Sequence, residues 1–201
     1  MDMNQTVITW VLAAVLGGAA VQPLAAQERA AQGSQVLRDR IGVANSQRVG
    51  GVEYRLAAVH AEQEGRRVLQ EYLPAGQVLG QQTDMLMIDR YQGEADPVTM
   101  AQAKLREVLA RRGQGDAVAN GEVLVGPDGS AALDFLLSAP LPDGGLVVEW
   151  NAYHYRRVGN ALVLTAMSRR AYNDPAVTEF LTGLKQRRGS DRNALLGWLP
   201  L

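Results

Sequence analysis

Only two histidines, His60 and His154, stand among 201 residues that contain no cysteine. Nucleophilic or metal chemistry must therefore run through those imidazoles, through hydroxyls or through carboxylates. A Ser–His–acid triad needs a serine beside an imidazole that a carboxylate orients; Ser130 and Ser168 are the serines to weigh with His154, and no Gly-x-Ser-x-Gly motif accompanies them. Glycoside hydrolysis needs two carboxylates flanking a cleft, and Asp134 and Glu149 fall on neighbouring expected strands. Two histidines far apart in the chain do not make a structural zinc site without thiols. Closely spaced aspartates of the calcium-loop type are missing, as is a phosphate loop. The expectation is no catalytic residue, no metal and no cofactor. An envelope hydrolase using His154 or the Asp134/Glu149 pair is the enzymatic alternative.

One segment suits binding better than catalysis. Glu149-Trp-Asn-Ala-Tyr-His-Tyr-Arg-Arg157 concentrates aromatic and polar side chains. In a strand, alternation sends Trp150, Ala152 and His154 to one face and Glu149, Asn151, Tyr153 and Tyr155 to the other. The first set reads as core. The second suits a ligand or a protein partner, because aromatic residues are enriched at recognition surfaces. Arg169 and Tyr172 end the next expected strand, so Asn151, Tyr153, Tyr155, Arg169 and Tyr172 are the candidate binding residues. The competing reading is that cross-strand Tyr–Arg pairs only stabilise a sheet face, at about 0.2–1 kcal/mol each.

The elements that would position these residues follow from periodicity. From Met3 to Gln27 there is no charged side chain, and the apolar run Thr6–Val21 gives way to Gln22-Pro23 and then Leu24-Ala25-Ala26. An apolar core, a helix breaker and a small-residue site are the form of a secretory signal peptide over residues 1–26. The alternative is an uncleaved anchor, since a spanning helix needs roughly 20 apolar residues. Residues 27–50 are rich in Ala, Gln, Gly and Arg and read as a linker or loose helix, with a single α+β domain over 51–201.

Within that domain, Val52–Val59, Arg67–Leu73 and Asp84–Tyr91 read as strands, the first two joined through Glu62-Gln-Glu-Gly65. Asp96 is a suitable N-cap and Pro97 a suitable first helical residue; Val98, Ala101, Leu105, Val108 and Leu109 share one face of the helix, which stops at Gly113. Four further strands are expected at Ala119–Val125, Ser130–Leu137, Gly145–Arg157 and Ala161–Arg170. A closing helix is capped by Asp174-Pro175, carries Val177, Phe180, Leu181 and Leu184 inward, and ends at Arg187-Arg188-Gly189. Ser190-Asp191 then starts a last short helix. Hairpin-length connections require antiparallel neighbours. The expected fold is a single antiparallel sheet of about seven strands (βββαββββα) with helices packed on it.

This element order, over residues 50–190, resembles the PsbP-like α/β/α sandwich. The phrase Glu71-Tyr-Leu-Pro-Ala-Gly76 leading to Thr83-Asp84-Met85 is similar to small uncharacterised exported proteins of the bacterial envelope. The resemblance implies an accessory or binding factor. Twenty basic against twenty-one acidic side chains leave the chain almost neutral, which argues against nucleic acid as a partner. The sequence therefore points to an exported, non-enzymatic binding or accessory protein, periplasmic or secreted, engaging an envelope protein or small ligand. A membrane-anchored accessory subunit is the alternative if the apolar helix is retained.

Overall fold

The computed structural model describes residues 37–201; the expected signal peptide, 1–26, lies outside the described residues. The elements are β1 (Ser46–Val49), β2 (Val52–Glu62), β3 (Arg67–Pro74), β4 (Asp84–Gln92), α1 (Pro97–Ala110), β5 (Asn120–Val125), β6 (Ala131–Pro140), β7 (Leu146–Val158), β8 (Ala161–Tyr172) and α2 (Ala176–Leu196). The strands form one eight-stranded sheet in the order β1-β2-β3-β4-β8-β7-β6-β5. Every pairing is antiparallel. Strands β1 to β4 and β5 to β8 each run as consecutive antiparallel neighbours, and the two sets meet where β4 pairs with β8, Asp84 opposite Arg169 and Ile88 opposite Thr165.

The expected α+β class and antiparallel sheet are observed, with an eighth strand added. That strand is β1, inside the 27–50 stretch expected as a linker or loose helix. No helix occurs in the described part of that stretch. Ile41, Val43 and Val49 are buried there, and the Arg40 amide donates to Gln70 Oε1 at 2.7 Å, so the folded body begins before residue 51. Three apolar residues scattered among Gly, Asn, Ser and Arg give no local period. Pairing with β2, Gln47 opposite Tyr54, makes the strand.

Helix α1 starts as its sequence dictates: the Asp96 carboxylate accepts from the Thr99 amide at 2.7 Å and Pro97 occupies the first turn. Leu109, expected on its inner face, is instead 40% exposed, because the stripe through Ala101 and Val108 already meets the sheet. The closing helix is continuous to Leu196 rather than broken at Gly189. Leu184 and Leu195 are both buried against the sheet, and that packing outweighs the roughly 1 kcal/mol a helical glycine costs relative to alanine. Asp174 does not cap α2; it accepts from Thr178 Oγ1 at 2.9 Å.

Each broad face of the sheet carries one helix. Helix α1 lies on β5, β6 and β7, and helix α2 lies on β7 and β8. On the α1 side Leu133, Phe135, Tyr153, Tyr155, Leu164 and Ala166 pack with Ala101 and Val108. On the α2 side Tyr54, Tyr72, Leu86, Trp150 and Met167 pack with Phe180, Leu184 and Leu195. The result is three layers, helix, sheet and helix. Gly121 permits the α1 contact: a Cβ there would stand 2.8 Å from Phe135 Cβ and 3.2 Å from Leu105 Cδ1. Each large side chain fully removed from water contributes about 1.5–3 kcal/mol, so the two cores hold the sheet without a disulfide. Among the described residues no helix is long and apolar enough to cross a membrane.

Candidate functional site

The five candidate binding residues do not form one surface: Asn151, Tyr153 and Tyr155 share the α1 side of the sheet, and Arg169 faces the other. Asn151 is fully buried and Tyr153 and Tyr155 are each 3% exposed, because α1 covers the face to which alternation sends them. Tyr153 packs edge-on to Phe135 at 4.9 Å between ring centroids and to Tyr155 at 6.1 Å. Burial pushes both phenols above their ordinary pKa. Asn151 Nδ2 donates to Glu149 Oε1 at 2.7 Å, and Glu149 pairs with the buried Arg170. Arg169 stands opposite Trp150 and so projects on the α2 side, the far face of the sheet. Tyr172, at the end of β8, donates its hydroxyl to the Gln82 carbonyl at 3.0 Å. The alternation was correctly placed; the covering helix turns its outer set into core.

The catalytic constellations are likewise taken apart. Asp134 lies on the α2 side, accepting from Trp150 Nε1 at 2.6 Å, whereas Glu149 lies on the α1 side. The sheet separates the two carboxylates, and no cleft lies between them. His154 is 7% exposed and its Nδ1 has no hydrogen-bond partner. Burial, with Arg156 nearby, holds its pKa below the ordinary imidazole value. Ser168 faces the opposite side, and the Ser130 hydroxyl donates to Asp128 at 2.7 Å rather than meeting His154. Among the described residues no three His, Asp or Glu side chains are grouped to hold a metal ion.

An open concavity exists elsewhere. The residue before β4 and its first residue (Thr83, Asp84), the end of β8 (Arg169, Arg170, Ala171) and one flank of α2 (Ala176, Glu179, Phe180, Gly183, Arg187) enclose a cleft of about 370 Å³. It exists because α2 rests on β7 and β8 while the sheet continues past them to β4. Its inner wall is fixed by charge. Arg169 pairs with Asp84 across the β4–β8 ladder, and its Nη2 donates to Asp191 Oδ1 of α2 at 3.1 Å, tying helix to sheet. Thr83 is held in turn, its amide donating to Gln77 Oε1 at 2.8 Å. The apolar part of the wall is Phe180, over whose ring the Arg187 guanidinium sits at 5.3 Å.

Of the expected binding residues the cleft retains only Arg169. Sequence reasoning missed Asp84, Glu179 and Arg187, because single charged residues on a strand end and a helix look like ordinary solvated positions. The available signal was Gly183, a glycine inside an otherwise regular helical stripe. A protein-family model matches residues 42–196, from the approach to β1 through the last turn of α2. No curated protein matches the chain.

Proposed function

We propose, for a chain that belongs to the uncharacterised protein family so matched, a non-enzymatic binding or accessory role in the bacterial cell envelope, with the cleft beside α2 as the point of engagement. The single observation that carries this reading is the cleft itself, a charged concavity of about 370 Å³ beside a sheet that carries an apolar core on each broad face. That volume is in the range of small-ligand sites, about 300–1,000 Å³. Its walls offer paired and single charges, and the one hydroxyl–carboxylate contact among them, Thr83 Oγ1 donating to Asp84 at 3.1 Å, uses a carboxylate already paired with Arg169. Export to the periplasm or beyond rests on the apolar run, breaker and alanine-rich end of residues 6–26. Helices on both sides of the sheet support extending the PsbP-like resemblance, and with it the accessory role.

The test fills the cleft while sparing the core. A Cβ at Gly183 meets nothing within 4 Å, so Gly183→Trp is expected to fold and to occupy the space. Wild-type chain immobilised in the native envelope fraction is expected to retain a component that the tryptophan variant loses, with matched circular dichroism spectra. Retention unchanged by the tryptophan refutes the cleft as the binding site. Intact-mass measurement on protein from the host separates the soluble form from the anchored accessory subunit: loss of residues 1–26 excludes the anchor.

A further inference from the structure

Glu179, Gly183 and Arg187 recur at every fourth position of α2 and line the cleft as one stripe. The stripe reads acid, no side chain, base. The Cα positions of Glu179 and Arg187 are about 12 Å apart along the helix axis, and neither side chain forms an ion pair among the described residues, whereas Arg188 and Arg192 on the same helix both engage Asp134. Arg187 Nε is buried without a hydrogen-bond partner. Between the two charges, Gly183 keeps a floor that neither packing nor backbone geometry demands: a Cβ would meet nothing within 4 Å, yet the glycine weakens the helix by about 1 kcal/mol relative to alanine. The opposite wall, Asp84 and Arg169, is bound to itself and to Asp191, leaving Glu179 and Arg187 as the charges open to a ligand.

We infer that the cleft takes a short zwitterionic peptide, with its carboxylate on Arg187, its ammonium on Glu179 and its main chain laid over Gly183. Three extended residues span about 10 Å, of the order of that axial separation, which the Arg187 guanidinium shortens by lying back over Phe180. A guanidinium stacked on an aromatic ring is fixed in plane and presents its donors to a carboxylate. The polar wall at Thr83 and Asp84 meets the peptide main chain. This inference rests on the cleft being the binding site and adds the ligand's class.

The probe is trialanine, titrated into the full chain and followed by amide shifts, beside its N-acetylated and C-amidated forms. Free trialanine is expected to shift the amides of Asp84, Ala171 and Gly183, and either block to weaken binding about tenfold or more, the loss of one charged contact. Arg187→Gln is expected to erase the difference between acid and amide, and Glu179→Gln the difference between free and acetylated peptide; both residues lie outside the core. Equal binding of free and blocked peptides overturns the inference, as does a titration that leaves the cleft amides unmoved. If trialanine fails while Gly183→Trp still abolishes envelope retention, the ligand class is wrong and the binding site stands. If trialanine binds as expected while the tryptophan leaves retention unchanged, the zwitterion site stands and the envelope role falls.

Discussion

Asp134 gives the sharpest test of how α2 is held. Its carboxylate is 1% exposed and accepts from Trp150 Nε1 at 2.6 Å and from Arg188 Nε at 2.8 and 2.9 Å, with Arg192 Nη1 at 3.5 Å. Asp134→Ala leaves the indole N–H unpaired in the core, a loss of about 1–3 kcal/mol. Breaking a fully buried ion pair adds to a total of about 3–5 kcal/mol. The side chains of Arg188 and Arg192 are 35% and 25% exposed, so water screens part of that attraction and the total falls to about 2–4 kcal/mol. For a chain of this size that lowers Tm by about 5–15 °C. Asp134→Asn keeps an acceptor for Trp150 and loses only the charge, so it is expected to cost about 1–2 kcal/mol. Urea titration with linear extrapolation measures both. If Asp134→Ala matches wild type within about 0.5 kcal/mol, the carboxylate does not join helix to sheet and the reasoning fails.

Two other outcomes follow from burial and charge. Tyr153→Ala is expected to destabilise by about 3–5 kcal/mol, the cost of emptying a buried aromatic site, which a thermal melt reads directly; a near-silent substitution would return Tyr153 to the surface. The Asp116 carboxyl is held below its ordinary pKa: burial pushes it up, but the Ser138 hydroxyl and amide, donating at 2.6 and 2.9 Å, and the Arg111 guanidinium outweigh that. A lowered carboxyl pKa means that the unfolded chain takes up the proton first on acidification. The stabilisation is therefore present above the unfolded value of about 3.9 and lost as pH falls through the folded one. Asp116→Asn is expected to lose stability at neutral pH and to flatten the acid limb, read from urea midpoints between about pH 5 and pH 2; an unchanged slope refutes the assignment.

Much of the architecture was written in local pattern. Asp96-Pro97 started α1 where cap chemistry demands, and the alternation along Glu149–Tyr155 assigned faces correctly. What alternation does not carry is which face a distant helix will cover. Tyr153 and Tyr155 looked like a recognition surface because a strand exposed on one side and a strand buried on both differ only in their neighbours. The same gap hid β1, whose residues become a strand by pairing with β2, and let Gly189 pass for a helix end when packing on both sides of it carried the helix through. The cleft was least legible of all, since Asp84, Arg169 and Glu179 come from three separate elements. Its one local trace was the glycine at 183.

Asp84 and Arg169 form the first rung of the β4–β8 join, which has a further consequence. One wall of the cleft belongs to the first half of the sheet and the floor to the last helix, so neither half alone contains the pocket. A molecule seated there would touch the closure of the whole sheet, and its occupancy would add to global stability with the logarithm of its concentration over its Kd. A ligand of the proposed site would therefore register in a melt as directly as in a binding isotherm.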